Sequence, residues 1–77
     1  MLEEVWKPII GYEGIYEISN TRKIKSLKRF SVTGRLLREK IMKFTKNGKY
    51  DVVQLINKDG KPKIYYVDRL MFEYFNI

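Results

Sequence analysis

The sequence predicts an α+β fold: a small antiparallel sheet, made of an N-terminal hairpin and a three-stranded meander, packed by one C-terminal helix. Three observations carry this reading. Asn47-Gly48 and Asp59-Gly60 each separate runs rich in Val, Ile, Tyr and Phe, a composition that suits pleated, half-buried strands. In the closing DRLMFEYFNI, Leu70 and Tyr74 stand four apart, as do Met71 and Phe75, which is helical spacing. No Pro- or Ser-rich linker divides the chain, so residues 1–77 are expected to form one domain.

In chain order, Gly11 and Gly14 break the backbone ahead of a first strand, IYEIS (Ile15 to Ser19). It turns through Asn20-Thr21-Arg22 into KIKSL (Lys23 to Leu27), where Lys23 and Lys25 take one face and Ile24 and Ser26 the other. FSVTGRLL (Phe30 to Leu37) is expected as an exposed connection around Thr33-Gly34. The meander's strands are IMKFT (Ile41 to Thr45), YDVVQLI (Tyr50 to Ile56) and KIYYV (Lys63 to Val67). Asn-Gly and Asp-Gly tolerate the positive φ angles of two-residue type I′ turns between them. Asp68 is placed to cap the helix, because a carboxylate accepts the orphan backbone N–H groups. So short a helix is unstable alone. It is expected to lay Leu70, Met71, Tyr74 and Phe75 on one sheet face, leaving the other free. Trp6, Tyr12 and Tyr16 crowd beside Ile9, Ile10, Ile15 and Ile18, which favours core packing over stacking on bases. Tyr65 and Tyr66 fall on opposite strand faces, one core and one exposed.

The net charge of +7 is unevenly spread. From Arg22 to Lys49 there are eleven basic residues against the single acid Glu39, whereas the rest has five basic and eight acidic residues. Charge concentrated in this way makes a patch, and phosphate backbones are its commonest partner. The competing reading is a solvated Lys-rich surface that protects sheet edges. Ribbons of two strands fit the DNA major groove, where outward Lys and Arg meet phosphates or guanine edges. The leading candidate contacts are Lys23, Lys25, Lys28 and Arg29, with Arg22 at the hairpin tip; then Arg35, Arg38, Lys40, Lys43, Lys46 and Lys49; then Gln54 and Lys63 from the neighbouring strands. Most would be sequence-blind phosphate contacts, and one or two would read bases.

Several classes are excluded. There is no cysteine, hence no disulfide framework and no thiolate metal site. No apolar run approaches the ~18–20 residues that span a bilayer, and the opening MLEEVWKP lacks a signal-peptide pattern. There is no histidine to act as a general base beside a metal, and the nine acids form no metal-binding cluster. The expectation is therefore a protein that binds rather than catalyses, with no cofactor or metal and no membrane role.

WKPIIGYEGIYEISN, Trp6 to Asn20, resembles the opening of the nuclease-associated modular DNA-binding (NUMOD-type) domain found at the N-terminus of phage HNH homing endonucleases. KIKSL, Lys23 to Leu27, stands where that family has G-x-V-x-S-L, and VDRL, Val67 to Leu70, where it has V-H-R-L. Two departures are Arg22, in place of a usual Gly, and Asp68, in place of the His. In the family the chain continues into the HNH core, whereas this sequence ends at Phe75-Asn76-Ile77. The resemblance implies an antiparallel sheet laid in a groove of double-stranded DNA, in the cytoplasm of a bacterial host. A monomer or weak dimer is expected. The alternative is a phage-encoded inhibitor of a host or defence enzyme, such as an anti-CRISPR, whose partner would be a host protein.

Overall fold

A computed structural model describes residues 3–31 and 33–77. Among the described residues nine short strands precede one helix: β1 (Trp6–Pro8), β2 (Tyr16–Ser19), β3 (Ile24–Ser26), β4 (Arg29–Phe30), β5 (Leu36–Leu37), β6 (Lys40–Ile41), β7 (Thr45–Asn47), β8 (Tyr50–Ile56), β9 (Pro62–Tyr66) and α1 (Val67–Phe75). They form a four-stranded sheet in the order β1-β2-β3-β6, a hairpin β4-β5, and a three-stranded sheet β7-β8-β9, with every pairing antiparallel. The hairpin, meander and C-terminal helix of the α+β expectation are all present.

Alternation builds the core. β2 and β3 bury Tyr16, Ile18, Ile24 and Ser26, while Glu17 and Lys25 pair on the outer face. β8 turns Val53 and Leu55 inward, where α1 covers them with Val67, Leu70 and Met71. Ile18, Ile24, Leu55 and Val67 are fully buried, each contributing about 2 kcal/mol of transfer free energy. Tyr74 and Phe75 pack at the margin of this cluster. Tyr12 and Tyr16 are buried edge-to-face, with ring centroids 5.7 Å apart, so two of the three opening aromatics are core. Trp6 is half-buried on the outer face, with Lys25 Nζ 4.3 Å from its ring centroid. Tyr65 joins the core, its hydroxyl 3.1 Å from that of Tyr12, and Tyr66 is exposed. The helix end is tied to the first sheet: Lys7 Nζ donates to the Tyr74 carbonyl at 2.9 Å, and the Ile10 amide to the Tyr74 hydroxyl at 2.7 Å.

Four details differ from the sequence reading. IMKFT is not one strand: Lys40–Ile41 pairs with β3 and Thr45–Asn47 with β8. Met42 and Phe44 turn inward where the chain crosses between sheets. The Phe30–Leu37 segment, expected as an open connection, closes as the β4-β5 hairpin; Val32 within it lies outside the described residues, as do Met1 and Leu2. Asp68 lies inside the first turn of α1 rather than at its cap, which is Tyr66 and makes no side-chain hydrogen bond. The turns also change type. Asn47 pairs with Tyr50, so the two-residue loop is Gly48-Lys49, and Gly48 alone has positive φ, at 66°. Glycine at the first central position is the type II′ pattern, not I′.

Asp59-Gly60 belongs to a longer loop that recurs three times. Ser19, Ser31 and Asn57 each open one, and Lys23, Arg35 and Lys61 close them. In each the opening amide donates to the closing carbonyl (2.8, 2.8 and 3.1 Å), and the closing amide donates back to the opening side-chain oxygen (3.0, 3.1 and 3.0 Å). The left-handed position is held by Gly34, Gly60 and, in the first loop, Arg22 at φ 65°.

Candidate nucleic-acid interface

An open groove of about 730 Å³ runs between the first sheet, the β4-β5 hairpin and the outer face of the meander. Its walls carry Arg29, Arg35, Arg38, Lys40 and Lys43, with one acid, Glu39. Gln54 and Thr45 reach it from the meander's outer face, and Ser26 and Tyr16 form part of its lining. The Tyr16 hydroxyl accepts a hydrogen bond from the Ile56 amide at 3.2 Å, joining the two sheets there. Arg29 is fixed in place: its Nη1 donates to Ser26 Oγ at 2.8 Å and to the Leu27 carbonyl at 3.1 Å, and its guanidinium lies 5.4 Å from the Tyr16 ring centroid. Arg35, Arg38, Lys40 and Lys43 are exposed and make no ion pair among the described residues. Glu39 leans instead to Lys25, at 3.9 Å.

The thirteen candidates thus divide. Arg29, Arg35, Arg38, Lys40, Lys43 and Gln54 converge on the groove. Arg22, Lys23, Lys25 and Lys46 are held by carboxylates. Lys23 meets Glu4 at 3.4 Å, and Lys25 meets Glu17 at 3.6 Å. Lys46 and Arg22 share Asp51, at 2.9 and 3.0 Å, and Arg22 also bonds Asp68. Three of the five cations expected to lead, Arg22, Lys23 and Lys25, are therefore paired with carboxylates, and for Lys25 the register sets Glu17 directly opposite. Lys28 is exposed beside the groove, and Lys49 sits at the β7-β8 turn. Lys63 pairs with Leu55, not Gln54, so it belongs to the helix side of the meander, the face opposite Gln54.

Electrostatics follow the same division. Hydrogen bonds from Lys46 and then Arg22 hold the Asp51 carboxyl below the usual carboxylate range. The hydrogen bond from Thr21 does the same for Glu4. Bonds to Asp68 and then Asp51 raise the Arg22 guanidinium further. Away from this network, burial first and the Tyr65 hydroxyl second push the Tyr12 phenol up to about 12.

Sequence reasoning missed Ser26 and Thr45 as groove residues. The one available signal was alternation on β7, which places Thr45 opposite Val52 on the outer face. Among the described residues no group of three or more acidic side chains could hold a metal ion, and no helix is long and apolar enough to cross a membrane.

Residues 4–67 match the NUMOD4 motif. DNA endonuclease I-HmuI of Bacillus phage SP01 is 40% identical over 70 residues. That alignment takes in 91% of this chain but 35% of the relative, so the chain spans about a third of the length of the curated protein it matches. No solved structure matches the chain.

Proposed function

The chain belongs to the NUMOD4 family, a nuclease-associated DNA-binding motif, and we propose that it lays the cationic rim of the groove between its two larger sheets against duplex DNA. The observation that supports this best is the convergence of five cations on one groove whose only acid is turned toward Lys25. Arg35, Arg38, Lys40 and Lys43 would bind phosphates, the term that dominates affinity. Arg29, already oriented by Ser26 and Leu27, and Gln54 on the meander are the candidates for reading bases, since Arg suits guanine and Gln suits adenine edges. Binding rather than cleavage is the role assigned to these 77 residues, which hold no histidine to serve as general base. A phage origin and action in a bacterial cytoplasm fit the phage relative.

The test is fluorescence anisotropy with duplex DNA, single-stranded DNA and RNA side by side, each titrated with salt. Duplex DNA should bind tightest, with affinity falling steeply as salt rises. Equal affinity at low and moderate salt, or a preference for either single strands or RNA, overturns the proposal.

A further inference from the structure

The β4-β5 hairpin carries an apolar pair, Phe30 and Leu36, at the margin of the cationic groove. Arg29 stands opposite Leu37 across the hairpin, and Phe30 opposite Leu36. The first pair turns toward the body, where Arg29 is hydrogen-bonded and Leu37 is half-buried. Strand side chains alternate, so the second pair turns outward: Phe30 is 72% exposed and Leu36 41%. Directly opposed side chains are close neighbours, so together they form one apolar edge. Single exposed hydrophobics are ordinary, but two of them set face to face on so small a hairpin call for a partner. Just outside the paired residues, the chain carries a cation at the start of one strand and at the end of the other, Lys28 and Arg38. Both are exposed, and neither makes an ion pair among the described residues.

We propose that this edge is a wedge for duplex DNA: Phe30 and Leu36 enter between two stacked base pairs while Lys28 and Arg38 hold the flanking phosphates. The inference rests on the DNA-binding reading of the groove, with which the hairpin is continuous, since Leu36 and Arg38 also line that groove. Charge complementarity selects the occupant. A base step is an apolar target flanked by anions, which is the complement of an apolar edge flanked by cations. Apolar side chains inserted in this way partly unstack a step and kink the duplex, most easily at pyrimidine–purine steps.

The experiment is ligase-catalysed ring closure of DNA fragments of about 150 base pairs, near the persistence length, so that a kink raises the closure rate wherever it falls. Saturating wild-type protein should accelerate closure about tenfold. Phe30→Ala should lose most of that acceleration while keeping duplex affinity and salt slope within about twofold, because Phe30 does not line the groove and the groove cations are untouched. Phe30→Trp should retain it. Phe30 is exposed, and thermal melting checks that the variants stay folded. Wild-type protein that saturates duplex without speeding closure overturns the wedge and leaves the groove standing, as does a Phe30→Ala variant that closes DNA as fast as wild type. A DNA-free dimer in sedimentation that Phe30→Ala breaks would show a second copy on this edge and also overturns it. Failure to bind duplex at any salt overturns both readings together.

Discussion

Removing the groove's exposed cations should flatten the salt dependence of DNA binding by a calculable amount. The four exposed groove cations, each neutralising one phosphate, give a slope of about −3.6 in log affinity against log salt, from ~0.9 counterion per contact. Between ~50 and ~200 mM salt that is a loss of about 150-fold. Arg38→Gln or Lys40→Gln alone should shallow the slope by about 0.9, so that the same salt step costs ~40-fold. Arg35, Arg38, Lys40 and Lys43 all changed to Gln should leave a slope near zero. Arg29 is spared because its bonds to Ser26 and Leu27 also organise the fold. Lys46→Gln is the control, since Lys46 already bonds Asp51 at 2.9 Å and should release few counterions. Anisotropy titrations at four salt concentrations measure each slope, with melting curves to confirm folding. A quadruple variant that keeps the wild-type slope, or a Lys46→Gln slope change as large as that of Arg38→Gln, would refute the assignment of the groove.

Two further predictions concern the ion network at the first turn. Arg22 occupies a left-handed position, which costs a non-glycine residue about 1 kcal/mol, and its two partly exposed ion pairs are worth ~0–1 kcal/mol each. Arg22→Ala keeps the strain and loses the pairs, whereas Arg22→Gly loses both. The glycine variant should therefore melt about 4–8 °C above the alanine variant by calorimetry, and the reverse order would refute the argument. Asp51 is held below its ordinary pKa by Lys46 and Arg22. A depressed carboxylate adds stability that is present above its unfolded pKa, about 4, and is lost as pH falls through the folded value. Urea unfolding at stepped pH should show wild type losing more stability than Asp51→Asn below about pH 5; parallel profiles would contradict this.

Much of the fold was legible because its signals are local. β8, β9 and α1 announce themselves through alternation, flanking turn residues and four-residue spacing, and each lies within two residues of its predicted range. Loop length was less legible, because the side chain of the opening residue chooses it. Asn57 accepts from both the Asp59 and Lys61 amides, which favours the longer loop over a tight Asp-Gly turn. The division of IMKFT between two sheets was illegible, since nothing local distinguishes a strand from two half-strands with distant partners. Composition located the basic segment but not which of its members are free of carboxylates among the described residues. The acids that silence Arg22, Lys23, Lys25 and Lys46 lie mostly outside that segment, at Glu4, Glu17, Asp51 and Asp68. Which lysine meets which carboxylate is set by long-range register and cannot be read along the chain.

The two departures from the family pattern, Arg22 and Asp68, lie 46 positions apart in sequence, yet their side chains bond to each other. Arg22 sits at the tip of the β2-β3 turn and Asp68 in the first turn of α1, so the pair ties the N-terminal sheet to the helix. Each makes the other tolerable. An arginine forced into a left-handed backbone gains two carboxylate partners, and an acid in the first helical turn gains a cation as well as the favourable end of the helix dipole. With Asp51 and Lys46 the network becomes a chain of alternating charges across α1, the β2-β3 turn, β8 and β7. It pairs two cations of the basic segment with carboxylates at the same time as it braces the scaffold. The strongly basic segment is thereby sorted into a carboxylate-paired set and an unpaired set, and the groove's exposed cations, Arg35, Arg38, Lys40 and Lys43, belong to the unpaired set among the described residues.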